Sequence, residues 1–314
     1  MTADLSRRSW LAASAVAACG LAPDPAPAAE PGKADPFDYC LNTSTIRGQN
    51  LTIVQEVEIA AKAGYQAIEP WIGELDKFVQ SGGSLKDLGK RIADAGLRVE
   101  SAIGFAKWIV DDPSERTKGL EEAKRSMAVV RQIGGKRLAA PPFGATDRND
   151  IPLQRIAERY RVLLELGDVM AVVPQAELWG HSKTLTRLSE AAMVAIETGH
   201  PKACILPDVY HLHKGGSDFN GLKLLGGAAM FNFHMNDYPA IPPRTEIRDK
   251  HRVYPGDGVA PLTAIIRDLI KIGYTGILSL ELFNEDYWKQ DAMLVAKTGL
   301  EKMKAVVRAA RQPA

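Results

Sequence analysis

Short apolar runs alternate with longer amphipathic stretches along most of this chain. The runs at 37–46, 65–69, 97–103, 137–140, 175–179, 203–208, 230–236 and 277–281 read as strands, being short and bounded by turn residues. Between them, 51–63, 85–95, 114–133, 153–172, 185–198, 219–225, 261–272 and 291–310 read as helices. Gly64, Gly96, Gly134-Gly135, Gly199 and Gly273 follow the last turn of five of them, where a helix commonly stops.

Strict strand–helix alternation predicts a parallel sheet covered by helices. Eight such units fit a single-domain α/β fold, the (β/α)8 TIM barrel, over residues 37–312, a length close to the ~250 residues typical of that fold. An open doubly wound sheet is the alternative. Its glycine-rich phosphate loop is missing, because the first strand–helix turn is Ser44-Thr45-Ile46-Arg47-Gly48-Gln49-Asn50.

In such barrels the chemistry sits at the C-terminal strand ends. Side chains alternate along a strand, so parity says which ones point inward. Glu177 shares a face with Trp179, and Asp208 lies on the face of Cys204 and Leu206. Asn232, His234 and Asn236 share one face, opposite Phe231, Phe233 and Met235. Ser279 and Glu281 share another. Strands five to eight therefore aim Glu177, Asp208, His234 and Glu281 at one mouth. Three carboxylates and an imidazole gathered this way repel and protonate unless a cation joins them. Mostly oxygen donors with one nitrogen suit one divalent ion, Mn²⁺ first, with Mg²⁺, Co²⁺ or Zn²⁺ as alternatives. Taken singly, a Glu at a strand end is a cap or surface ion pair and a His is structural. Four on adjacent strands favour the metal reading.

These residues resemble the xylose isomerase-like barrel superfamily, the sugar phosphate isomerase/epimerase group. The resemblance covers about residues 37–312. It is carried by Glu177, Asp208-x-x-His211, His234-Met235-Asn236-Asp237 and Glu281. In the family's ketose 3-epimerases, matching positions hold one divalent metal through Glu, Asp, His and Glu. The resemblance implies that Glu177 and Glu281 are ligands and the acid/base pair. It implies that Asp208 and His234 are ligands, and that His211 rather than His213 contacts substrate. It departs from the family where an arginine follows the seventh-strand His, since Ala240 stands near that spacing. Arg244, Arg248 and Arg252 lie further along the loop 238–258, and Arg252 is the expected substrate contact. A loop of this length commonly serves as a lid or binding loop.

Trp71, Trp108 and Trp179 follow strand ends and offer apolar faces to a sugar, with core packing as the alternative for each. Glu69 is expected to reach a substrate hydroxyl or to cap its loop. Lys107 and His181 stay ambiguous, and His200 and His251 read as surface residues. The expected chemistry is proton transfer through an enediolate: one Glu removes the proton beside the carbonyl and the other returns it, with a Lewis-acid metal polarising the oxygens. Return to the same carbon is epimerisation and transfer to the neighbour is isomerisation. Loss of a β-leaving group would make the protein a keto-glycoside lyase, and a non-catalytic sugar-binding barrel is a further alternative.

Composition narrows the partners. A net charge of +1 without a basic run gives no nucleic-acid footprint. It also disfavours an endonuclease on this barrel, as do only six His. No apolar stretch is long enough for a membrane span. A small-molecule carbohydrate is the expected partner, and homo-oligomerisation is compatible with the barrel. Residues 1–36 read as an export signal and linker: Arg7-Arg8 is a twin arginine, followed by an apolar segment and a Pro/Ala-rich stretch. Cleavage at Ala26-Pro27-Ala28 or lipidation at Cys19 are both open, giving an exported, periplasmic or lipid-anchored protein. Cys40 and Cys204, on strands that are not neighbours, are expected as buried free thiols.

Overall fold

The computed structural model describes residues 35–313. Arg7-Arg8, Cys19 and Ala26-Pro27-Ala28 lie outside the described residues. Eight strands alternate with helices, as the apolar pattern requires. The strands are β1 Asp38–Asn42, β2 Ala67–Glu69, β3 Arg98–Val99, β4 Arg137–Ala140, β5 Val173–Glu177, β6 Ile205–Leu206, β7 Asn232–Met235 and β8 Ile277–Leu280. The helices are α1 Ile53–Ala63, α2 Ile72–Gln80, α3 Leu85–Asp94, α4 Pro113–Gln132, α5 Leu153–Met170, α6 Leu188–Glu197, α7 Val209–Lys214, α8 Leu262–Lys271 and α9 Ala292–Arg311.

Parallel ladders run β3-β2-β1-β8-β7 and β4-β5-β6. Isolated parallel bridges join the two sets, Ala102 to Leu138 on one side, and Ile205 to Met230 and Asp208 to His234 on the other. Each strand thus pairs with its sequence neighbours, and β1 pairs with β8 in the register Cys40 to Ser279. The sheet is closed. That closure is the (β/α)8 barrel and excludes the open doubly wound alternative.

Alternation sorts the side chains of each strand. Leu41, Ile68, Phe233 and Leu278 point outward into the large core under the helices. Cys40, Ala67 and Ile277 form a small apolar layer of their own. Asn232 lies level with Ile277, and one step nearer the C-terminal face stand Asn42, Glu69, His234 and Ser279, all fully buried. The polar layer is the floor of the site. Cys40 and Cys204 are free and buried.

Several elements differ from the sequence expectation. The first strand stops at Asn42, because its Oδ1 accepts from Ser44 N at 3.0 Å and starts a 3-10 turn, Thr43–Gln49. Helices α2 and α7 were not anticipated. The third strand is reduced to two residues, with Ala102 and Ile103 held only by single bridges. The long loop after β7 is also not structureless. The backbone of Asp237 pairs antiparallel with Val253, just past Arg252. The Asp237 carboxylate accepts from the N–H groups of Tyr238, Gly256, Gly258 and Ala260 at 2.7–3.1 Å. A side chain at Gly258 would run into that carboxylate. Among the described residues, no helix is long and apolar enough to cross a membrane.

Candidate active site

Asp208 is held by the turn it begins. It is the N-cap of α7, and its Oδ1 accepts from His211 N at 2.7 Å. A capping Asp bonds the backbone N–H two or three residues on, which is the structural content of the Asp208-x-x-His211 spacing. Oδ2 is left for other partners and accepts from Asn236 Nδ2 at 2.8 Å. His211 is placed by the neighbouring loop: Gly180 N–H donates to its Nδ1 at 3.3 Å. A side chain at Gly180 would collide with the His211 carbonyl, so that close approach needs glycine. The other ring nitrogen, Nε2, faces Arg252 Nη2, so both nitrogens of His211 meet donors. His213 turns away and stacks on Tyr238 at 3.8 Å.

His234 is at the centre. Its Nε2 lies 3.0 Å from Glu69 Oε2, and the same carboxyl accepts from Ser279 Oγ at 2.7 Å and Asn42 Nδ2 at 3.0 Å. This fixes the ring. Nδ1 then faces Glu281 Oε2 at 3.2 Å, Asp208 Oδ2 at 3.8 Å and Glu177 Oε1 at 3.9 Å. It is fully buried and makes no hydrogen bond. Ligand atoms of Asp208, His234 and Glu281 lie within 4.8 Å of one another. An unpaired buried imidazole nitrogen among carboxylates is the arrangement a divalent ion satisfies. A metal-ligating histidine gives its other ring N–H to a carboxylate, the part that Glu69 plays for Nε2. The residues present therefore fit a metal, with Asp208, His234 and Glu281 as its holders and Glu177 at the edge of the group.

Arg252 supplies positive charge to the same cluster. Its Nη1 donates to Asp208 Oδ2 at 2.8 Å and Glu281 Oε2 at 2.9 Å. Its Nη2 donates to Asp249 Oδ1 at 2.6 Å and lies 3.3 Å from His211 Nε2. The electrostatics split the two glutamates. Burial, reinforced by the charges of Glu281, Asp208 and Glu69 and opposed by His234, pushes Glu177 well above the ordinary carboxylate range. Burial also acts to raise Glu281, but His234 and Arg252 outweigh it and hold that carboxyl below the range. Burial, together with Arg252, drives His211 well below the usual imidazole value. Two carboxyls pushed apart in this way form an acid and a base.

A profile of the xylose isomerase-like TIM barrel family matches residues 57–306. The chain belongs to that family. It is 28% identical to the inosose isomerase of Bacillus velezensis, over 85% of this chain and 96% of that protein. It is 24% identical to the 3-dehydroshikimate dehydratase of Pseudomonas aeruginosa, over 80% of this chain but 39% of that longer protein. Among solved structures it superposes on a zinc-bound IolI protein with a TM-score of 0.80 at 22% identity, covering 88% of this chain and all of that one. An L-ribulose 3-epimerase gives a TM-score of 0.70 at 19% identity, over 88% and 96% of the two chains.

In this member of the xylose isomerase-like family, the remaining expected residues divide. Trp179 stands at the mouth, its ring 6.3 Å from His211. Exposed His181 lies 5.2 Å from Trp179. Trp108 does not line the mouth. It is 1% exposed, packs on Tyr160 and donates its Nε1–H to the Pro141 carbonyl, so it offers no face to a sugar. Lys107 is paired with Glu115 at 3.0 Å. Glu69 is neither a loop cap nor at the surface; it lies beneath His234. His200 is not free on the surface either, because its ring is covered and lies 3.1 Å from Asp168. His251 Nδ1 accepts from Arg248 N within a surface turn. Asn42 had no role in the sequence reading. Its Nδ2 reaches both Glu69 and Glu281 at 3.0 and 3.2 Å. Its place at the end of the first strand was the available signal.

Proposed function

We propose that the protein is a divalent-metal-dependent isomerase or epimerase of a sugar or keto-sugar. The carrying observation is His234 Nδ1, unpaired and buried among three carboxylates while Glu69 fixes the other ring nitrogen. A divalent ion bound there supplies Lewis-acid polarisation of a substrate carbonyl and its neighbouring hydroxyl. Glu281, held ionised, takes the proton from the carbon beside the carbonyl. Glu177, held protonated, delivers one to the enediolate so formed. The guanidinium of Arg252 and the imidazole of His211 lie side by side, and the guanidinium donates to a substrate oxygen. The loop pinned by Asp237 brings Arg252 over the strands and keeps water from the reacting carbon.

The names of the relatives support a hydroxylated ketone as substrate: inosose, 3-dehydroshikimate and, for a relative from Escherichia coli 23% identical over 63% of this chain, 3-dehydro-D-guloside. The dehydratase relative favours one second reading. The same proton abstraction expels a β-leaving group, which would make the protein a lyase. Purified protein assayed for bound metal and for deuterium uptake from D₂O by ketoses and inososes decides between these. Deuterium with retained carbon skeleton and hydroxyls supports the isomerase or epimerase. Deuterium with loss of a substituent supports the lyase. Tight sugar binding without exchange or turnover leaves only a sugar-binding barrel.

The reading extends to the domains and their location. Residues 37–312 form the enzyme, and residues 1–36 are a twin-arginine export signal and linker. Such a signal carries the enzyme out of the cytoplasm, with Cys19 as the lipid-anchored variant of the same route.

A further inference from the structure

A second cavity lies beside the mouth, between the 3-10 turn after β1, the start of α1 and helix α2. Its volume is about 620 Å³, within the roughly 300–1,000 Å³ of small-molecule sites. None of the four carboxylate and imidazole residues of the mouth lines it. Trp71 and Phe105 form its inner wall, and Phe78 lies further along. Those two inner rings also connect it to the mouth. Phe105 lies 5.2 Å from Trp71 and 6.1 Å from Trp179. Trp71 donates its Nε1–H to Asn42 Oδ1 at 2.9 Å, and Asn42 in turn donates to Glu281. A molecule seated at Glu281 and extending outward along Trp71 enters this cavity.

The polar lining is unusual in one respect. Glu56 is 2% exposed, and its Oε2 has no hydrogen-bond partner. Burial, reinforced by Glu74, pushes its carboxyl up to about 9, so it is neutral at neutral pH. Glu74 is already engaged by Thr43 Oγ1 at 2.6 Å and by Trp71 N at 3.0 Å. Arg47 lies over the Trp71 ring at 3.7 Å, with its Nε 3.9 Å from Glu74. Its charge is balanced there. The cavity therefore offers the aromatic rings of Trp71, Phe105 and Phe78 and the unpaired Glu56 carboxyl, with exposed Lys77 as a further cation in its lining. A buried polar atom left unpaired is costly, and a ligand hydroxyl supplies what Glu56 lacks. Apolar C–H faces with hydroxyls around the rim are the surface of a sugar ring.

We propose that this cavity is a subsite for a second polyhydroxylated ring, so that the substrate is a glycoside of the keto-sugar rather than the free ketose. The proposal rests on the isomerase or epimerase reading of the mouth. The test is saturation-transfer NMR on protein loaded with diamagnetic Mg²⁺, using D-fructose, isomaltulose and turanose. The two disaccharides carry a glucosyl ring on different oxygens of the same ketose. In at least one of them the glucosyl protons should take up saturation as strongly as the fructosyl protons. Glu56→Leu and Phe78→Ala, each checked for folding by circular dichroism, should weaken that disaccharide about fivefold or more while leaving D-fructose unchanged. Glucosyl protons without saturation in both disaccharides, or equal losses for fructose and disaccharide, would overturn the subsite. Deuterium exchange from D₂O is measured on the same samples. Exchange without glucosyl contact removes the subsite and leaves the proton-transfer reading intact. Glucosyl contact without exchange keeps the subsite and removes proton transfer.

Discussion

A single ring nitrogen organises this site, and a residue two layers below the surface decides which way it points. Glu69 Oε2 accepts from Ser279 and Asn42 and faces His234 Nε2, so Nδ1 is presented to the carboxylates. Glu69→Gln keeps the size but loses the carboxylate partner. Removing such an outer partner typically lowers metal affinity by about 10–100-fold. Equilibrium dialysis against Mn²⁺ measures this, and unchanged affinity would reduce Glu69 to packing. Glu177 carries a different expectation. The proton-donor role proposed for it predicts that Glu177→Gln, assayed at saturating metal, loses about 10²-fold or more in turnover. Full activity of the metal-loaded variant would remove Glu177 from the chemistry. Asp208 was legible from strand parity, as the last residue on the face of Cys204 and Leu206. Glu69 was noticed as polar at a strand end, but its depth under His234 depends on β2 and β7 sharing one barrel interior.

At the scale of elements, the loop after β7 shows how a length that reads as unstructured becomes a fixture. Asp237 satisfies four backbone N–H groups with one carboxylate and pairs its own backbone with Val253. This holds Arg252, one residue before Val253, against Asp208 and Glu281. Asp237→Ala leaves those amides without their partner. The expected cost is about 3 kcal/mol in urea unfolding, the scale of hydrogen bonds to a charged group. Faster hydrogen exchange at Gly256, Gly258 and Ala260 should accompany a raised KM. Unchanged exchange at those amides would show that the loop is held elsewhere. Helices α2 and α7 escaped the periodicity argument for a related reason. Six residues in α7 and nine in α2 give too few turns to display a repeat, and both are defined by what they pack against.

For the whole molecule, the barrel gathers titratable groups at one end. Asp208 and Glu281 each lie near both His234 and Arg252, and Glu177 lies near His234. A ligand that binds only the folded state stabilises it by mass action, about 2.7 kcal/mol at a hundredfold excess over Kd. For a domain of this size that corresponds to a rise in Tm of about 5 °C. A thermal melt with saturating Mn²⁺ and after chelation should show this difference; coincident melts would argue against a metal at this mouth. Export belongs to the same scale. Replacing Arg7-Arg8 by two lysines should leave full-length precursor in the cytoplasm, read by fractionation and immunoblot. Normal export of that variant would assign the segment to another route.

The sequence by itself determined the architecture and the chemical character of the mouth. Eight apolar runs at strand length, separated by helical periods, admit few closed solutions, and strand parity assigns Glu177, Asp208, His234 and Glu281 to one face before any contact is known. Tertiary structure alone decided which side chains meet. That Glu69 lies under His234, that Arg252 sits among the carboxylates, and that Trp108 is spent on the core all depend on distances between residues far apart in the chain. Such distances follow from barrel closure and loop pinning, whose free energy is spread over many contacts and is written in no local pattern. The sign of each carboxyl's shift belongs to that second class too. It is set by burial and by neighbours contributed from other strands, which a linear pattern of residues does not contain.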